Sequence, residues 1–131
     1  MTDLPTPDGF EYCSTGGGYY AWFIQKDGFY VWITDGFGDD APSSQCDYVM
    51  VGFYLEDEQL EFKDGEPPII PELHKLITDK NDLNDWNNTD FVYGIDTQKA
   101  TLAEIISIVR TISKDTFNKE VVLGHNNEGK K

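Results

Sequence analysis

Aromatic and β-branched residues crowd the stretch YYAWFIQKDGFYVWIT (19–34) in two runs that meet at Asp27-Gly28. Runs of strand-forming side chains broken by a dipeptide suited to a two-residue type I′ turn predict a β-hairpin. The turn sets the register: Ile24 faces Val31, Phe23 faces Trp32 and Trp22 faces Ile33. Opposed residues share a sheet face, so Tyr20, Trp22, Ile24, Val31 and Ile33 fall on one side and Phe23, Gln25, Tyr30 and Trp32 on the other. The first set reads as core. The second carries three large aromatics whose burial needs either a covering helix or a partner, and cover by helices is the favoured expectation.

Downstream, DYVMVGFYL (47–55) predicts a third strand, EDEQ (56–59) a turn and LEF (60–62) a short fourth strand, which together make a meander. Pro71 suits the first turn of a helix running through ELHKLITDKNDLNDW (72–86), where Leu73, Leu76, Ile77, Leu83 and Trp86 share a side opposite Glu72, Asp79, Asp82 and Asp85. DFVYGI (90–95) predicts a fifth strand. Thr101 and Glu104 have the spacing of a capping box ahead of LAEIISIVRTIS (102–113), with an apolar stripe of Leu102, Ile105, Ile106, Val109 and Ile112. Strands first and helices later indicate α+β: an antiparallel β-meander of about four to five strands with two helices packed on one face. No internal repeat interrupts this, and 131 residues suit a single domain over 1–131. Its ordered core is expected over about 9–123, between flexible tails: residues 1–8 hold two prolines and no apolar pattern, and GHNNEGKK (124–131) is polar.

Composition sharpens the picture through charge. A hydrophobic fraction of 39% supports a packed interior, yet the net charge is −14 and it is segregated. Residues 1–98 hold twenty Asp and Glu against Lys26, Lys63, Lys75 and Lys80, a balance of −16, while residues 99–131 stand at +2. Up to Glu61 only Lys26 opposes twelve carboxylates, so local ion pairs cannot neutralise them. Solubility is one use for such a field, and attraction of a basic partner is another. No apolar run reaches the roughly 18 residues of a membrane helix, and the first residues lack the basic and apolar regions of a signal peptide. These features suggest a cytoplasmic protein with no membrane contact, in which Cys13 and Cys46 stay reduced.

Candidate chemistry is thin. The acidic stretch WITDGFGDD (32–40) fails as an EF-hand loop, because counting from Asp35 puts Phe37 at position 3, Asp40 at position 6 and Cys46 at position 12. Asp and Gly suit a plain turn. STGGG (14–18) lacks the Gly-Lys-Ser/Thr ending of a phosphate loop and reads as a flexible lead into the first strand. His74 and His125 are the only imidazoles, neither has a local partner, and Arg110 is the single arginine. No short-spaced ligand pair suggests zinc, and so many acids single out no catalytic carboxylate pair. The expectation is a non-enzyme with no catalytic residue, no metal and no cofactor.

Phosphate contacts require Lys and Arg, so direct nucleic-acid binding is disfavoured. With the sign inverted, same-face carboxylates spaced about 5 to 7 Å apart imitate a polyanion and suit a groove built for DNA or RNA. In charge, size and α+β architecture the chain resembles phage-encoded inhibitors that mimic nucleic acid, including some anti-CRISPR and anti-restriction proteins, and also acidic immunity proteins that neutralise nuclease toxins. That resemblance implies an acidic inhibitor of a basic, nucleic-acid-handling partner, acting in a bacterial cytoplasm if phage-encoded. The alternatives are an immunity protein that neutralises a nuclease-type toxin and an acidic structural or assembly domain. The expected contacts are a continuous negative rim of Asp35, Asp39, Asp40, Asp47, Glu56, Asp57, Glu58 and Glu61, joined by Phe23, Tyr30 and Trp32 if their face is open.

Overall fold

The computed structural model describes residues 4–63, 65–77, 79, 82–114 and 116. Six strands, β1 (Glu11–Gly16), β2 (Tyr19–Gln25), β3 (Phe29–Asp35), β4 (Tyr48–Leu55), β5 (Leu83–Asp85) and β6 (Asp90–Asp96), form one sheet in the order β1-β2-β3-β4-β6-β5. Every pairing is antiparallel. Among the described residues the helices α1 (Pro71–His74) and α2 (Leu102–Thr111) complete an α+β fold.

The central hairpin has the expected register, with Trp22 opposite Ile33, Phe23 opposite Trp32 and Ile24 opposite Val31. Its turn is of another kind. Only Gly28 has a positive φ, 87°, whereas a type I′ turn needs one at Asp27 as well, so the signs are those of a type II turn. Gly28 then offers its carbonyl to the backbone N–H groups of both Glu56 and Asp57, which ties the turn to the end of β4.

One face of the sheet makes the core. Trp22, Val31, Ile33, Val51, Phe53, Phe91, Tyr93 and Ile95 lie on it in a single cluster with Leu73 of α1 and Ile105 and Val109 of α2. Phe53 stacks on Phe91 at 4.8 Å, and the Tyr93 hydroxyl accepts the Ile70 N–H at 3.0 Å, fixing the entry to α1. The capping box is formed: Thr101 Oγ1 accepts from Glu104 N, and the Glu104 carboxylate accepts from Thr101 N, each at 3.2 Å. At the other end of α2, Lys26 Nζ donates to the Arg110 carbonyl at 3.0 Å and Arg110 Nη2 to the Asp8 carbonyl at 2.9 Å. Cations therefore close the negative end of the helix and hold it to the sheet. Leu4 packs against the core and Phe10 is buried, so residues 4–8, expected in a loose tail, are tied to the fold. Residues 117–131, with His125 and the polar 124–131 segment, lie outside the described residues.

Four sequence expectations are corrected. STGGG is no loose lead: EYCSTG forms edge strand β1, which turns into β2 at Gly17 and Gly18, both at positive φ. LEF makes no strand, because Asp57 caps a single 3₁₀ turn, Glu58–Leu60, in which Leu60 is buried, and Phe62 beyond it packs edge-on against Phe91. The helix read over 72–86 stops after α1, and Leu83–Asp85 instead pairs with β6. Thr, Asn and Asp dominate its second half and compete for backbone hydrogen bonds, while the edge of β6 offers a ladder that a helix would leave unpaired. Tyr20, expected in the core, is 39% exposed and stacks on Tyr12 at 5.2 Å near the sheet edge.

Candidate functional site

The helices cover the Trp22 face and leave the other face open, which corrects the expectation that Phe23, Tyr30 and Trp32 lie beneath them. Its surface follows from the register. One row across the strands reads Glu11, Phe23, Trp32, Gly52, Val92 and Asn84. The adjacent row toward the 36–47 loop holds smaller or slimmer residues: Cys13 beside Ala21, and Thr34 beside Met50 and Gly94. A row of bulky rings next to a row of small side chains makes a trough, and the trough is a groove of about 900 Å³.

Trp32 is seated by Gly52. A Cβ on Gly52 would fall 1.8 Å from Trp32 Cε2, so the indole lies directly over the glycine backbone while also lining the groove. Tyr48 crosses Gly94 in the same way, where a Cβ would stand 2.2 Å from its hydroxyl, and that hydroxyl donates to Asp82 at 2.8 Å. The aromatics of this face make two groups of ring contacts: Trp32 with Trp86 at 5.7 Å, and Phe23 and Tyr54 each against Tyr30, at 5.6 and 5.2 Å. Burial pushes the Tyr30 hydroxyl above its ordinary pKa, with the Asp90 carboxylate adding to the effect, so it stays a neutral phenol.

The groove also has walls. Loop 35–40 folds on itself: Asp35 N donates to the Asp40 carbonyl, and the Asp35 carboxylate accepts from the N–H groups of Phe37 and Asp39. The Tyr20 N–H donates to the Asp39 carbonyl at 3.0 Å, docking this loop on β2. Phe37, 87% exposed, stands at the loop tip, and Trp86, 60% exposed, stands in the β5–β6 connection. Both line the groove. Large apolar side chains held outward by a fixed backbone are the informative exception on a protein surface.

The expected negative rim is not continuous. Asp35 pairs with Val49 while Leu55 pairs with Phe29, so Asp35, Asp39, Asp40 and Asp47 sit at one end of the β3–β4 ladder. Glu56, Asp57, Glu58 and Glu61 sit at the other end, about 20 Å away at the rise of a strand. Several of these carboxylates are engaged inside the fold. Asp40 accepts from the Tyr12 hydroxyl and Ala41 N, each at 2.7 Å, and Glu56 from Gln25 Nε2 at 2.7 Å. Asp57 pairs with Lys114 at 2.6 Å, and that cation holds its carboxyl below the usual range; Glu61 accepts from Asn88. Of the eight acids, only Asp39 lines the groove. The groove collects Phe23, Tyr30 and Trp32 with Asp39 and adds residues the sequence reading missed: Glu11, Tyr19, Phe37, Met50 and Trp86. Met50 shares the parity of Gly52 and was legible on that ground. Trp86 was hidden by its assignment to a helix.

His74 lies edge-on to Tyr93 at 6.2 Å, with Nδ1 buried, and the Cys13 and Cys46 thiols are unbridged. Among the described residues no group of three His, Cys, Asp or Glu side chains is arranged to hold a metal ion, and no helix is long and apolar enough to cross a membrane. Comparison with known protein families, with characterised proteins and with solved structures finds no match to this chain.

Proposed function

We propose that the protein is a non-enzymatic acidic inhibitor that binds a basic, nucleic-acid-handling protein and excludes its DNA or RNA. The observation that carries this reading is the open sheet face: a groove floored by Phe23, Tyr30 and Trp32, with exposed Phe37 and Trp86 in its lining and, among the described residues, Glu11 and Asp39 as its charged groups. Such a surface joins aromatic anchors, which supply affinity, to a negative field, which selects a positive partner and speeds the encounter. The carboxylate groups at both ends of the β3–β4 ladder extend that field over a length comparable to a basic nucleic-acid cleft. Toxin nucleases and antiviral nucleases both belong to the partner class this surface fits.

The test is competition. The tagged chain should retain a nucleic-acid-binding protein from host lysate at low salt, release it as salt rises, and inhibit it stoichiometrically once both are purified. Excess DNA or RNA should displace the chain. A ternary complex, in which nucleic acid and the chain occupy the partner together with activity unchanged, would overturn the proposal.

A further inference from the structure

We infer that the groove recognises an arginine side chain in an extended basic segment of the partner, with the guanidinium stacked on the indoles of Trp32 and Trp86 and its charge met by Glu11 and Asp39. This rests on the binding reading above and names its ligand chemistry. Among the described residues the lining contains no Lys, Arg or His. Its two carboxylates reach no cation among the described residues, so their charge is available to a ligand. The side-chain donors of the lining are partly spent inside the fold: Gln25 Nε2 serves the carbonyls of Lys26 and Phe29 and the Glu56 carboxylate, and the Thr34 hydroxyl donates to the Asp35 carbonyl. Gln25 keeps its carbonyl oxygen as a further acceptor in the lining. A lining of rings and acceptors is the complement of a group that is flat, cationic and made only of donors, which describes guanidinium.

Arginine is favoured over lysine on geometric grounds. The Trp32 and Trp86 rings are tilted 30° to each other at 5.7 Å and present extended π-surfaces, on which a planar ion stacks and a tetrahedral ammonium does not. The Trp32 plane is held in place from behind by Gly52, so this surface exists before any ligand arrives. Glu11 stands on edge strand β1 in the same cross-strand row as Phe23 and Trp32, which places the acid at the open end of the aromatic row. A chain segment running along that edge could lower one long side chain onto the row.

The probe is a short capped oligoarginine peptide titrated into the whole chain at physiological salt, read by the indole resonances. Trp32 and Trp86 should shift while buried Trp22 stays unmoved. Trp86→Ala removes an exposed ring and should weaken binding about tenfold, and Glu11→Gln should weaken it by about threefold or more. Glu72→Gln deletes a carboxylate outside the groove and should leave affinity nearly unchanged. An oligolysine peptide of equal charge should bind less tightly, and its binding should depend less on Trp86. Equal losses in Glu11→Gln and Glu72→Gln, or affinity insensitive to Trp86→Ala, would reduce the interaction to general attraction by net charge and overturn the inference. So would indole shifts caused by a neutral oligosaccharide in place of the peptide, or self-association of the chain through this face. No nucleic-acid-handling protein enters this titration. Its failure therefore leaves inhibition of such a protein open to its own assay, and peptide binding without any inhibited partner would reject the inhibitor reading alone.

Discussion

At Gly52 a missing side chain decides what its neighbour can do. The indole of Trp32 occupies the space of a Cβ, so Gly52→Ala must push the ring out of its seat, at a cost at or above the upper end of the 1–3 kcal/mol typical of overpacking. The pair makes a double-mutant cycle with a definite sign. With Trp32 already replaced by Ala, adding Gly52→Ala should cost nothing or stabilise by about 0.5 kcal/mol, because alanine loses less backbone entropy than glycine in a strand. Denaturant titration of the two single variants and the double variant measures the coupling. Additive effects would mean that the ring does not rest on the glycine. The same logic makes Gly94 the seat of Tyr48, and neither glycine has a positive φ, so both are needed for space and not for backbone conformation.

At the scale of elements, loop 35–40 shows what its acids are for. Asp35 works inward, because its carboxylate gathers the N–H groups of Phe37 and Asp39 and so shapes the wall that presents Phe37 to the groove. Asp35→Ala should destabilise the protein by about 1–2 kcal/mol, a scale set by two backbone bonds to a partly exposed charged acceptor, and should loosen peptide binding through the displaced wall. Asp35→Asn keeps an acceptor oxygen and should lose less on both counts. Thermal melts and the peptide titration together check this, and equal effects of Ala and Asn would mean that charge, not turn geometry, is the contribution of Asp35. Strand β5 shows the opposite relation between sequence and element. Its three residues lie in a stretch with a helical apolar pattern, and the vacant edge of β6 outweighed that pattern.

For the molecule as a whole, charge is divided in space as well as along the chain. Lys26 and Arg110 bind backbone carbonyls around the end of α2, and Lys114 pairs with Asp57, so three cations tie the C-terminal end of α2 and the residue beyond it to neighbouring segments. Two tyrosines join distant segments through acids, Tyr12 to Asp40 and Tyr48 to Asp82, and should make folding sensitive to alkali. The hydrogen bond to Asp40 pushes Tyr12 up to about 12, and burial, helped by the bond to Asp82, pushes Tyr48 up to about 12. In each case the protonated phenol is the donor, so the folded chain holds that proton more tightly than the unfolded chain does. The associated stability is complete below the ordinary tyrosine value of about 10 and is lost as pH rises from there through about 12. Urea midpoints across that window should fall with pH, and Tyr12→Phe with Tyr48→Phe should flatten the slope. An unchanged slope in the double variant would assign the alkaline loss to other groups.

The sequence by itself determined the hairpin register, the capping box of α2, the α+β class and the excess of negative charge. Each of these depends on neighbours a few residues apart or on composition alone: Asp27-Gly28 closes Trp22 onto Ile33 whatever surrounds them, and Thr101 meets Glu104 within one helical turn. Only the tertiary structure decided which sheet face the helices cover, that Leu83–Asp85 completes an edge, that the acids part to opposite ends of the β3–β4 ladder, and that Trp86 and Phe37 line one groove. These outcomes depend on residues far apart in the chain competing for the same backbone edges and the same apolar surface. α2 packs on Val31 and Ile33 rather than on Tyr30 and Trp32 because the first face offers a continuous field of aliphatic and aromatic side chains through β4 and β6. The second is interrupted by Gly52 and Gly94, whose places Trp32 and Tyr48 take, and its aromatic side chains are left to line the groove.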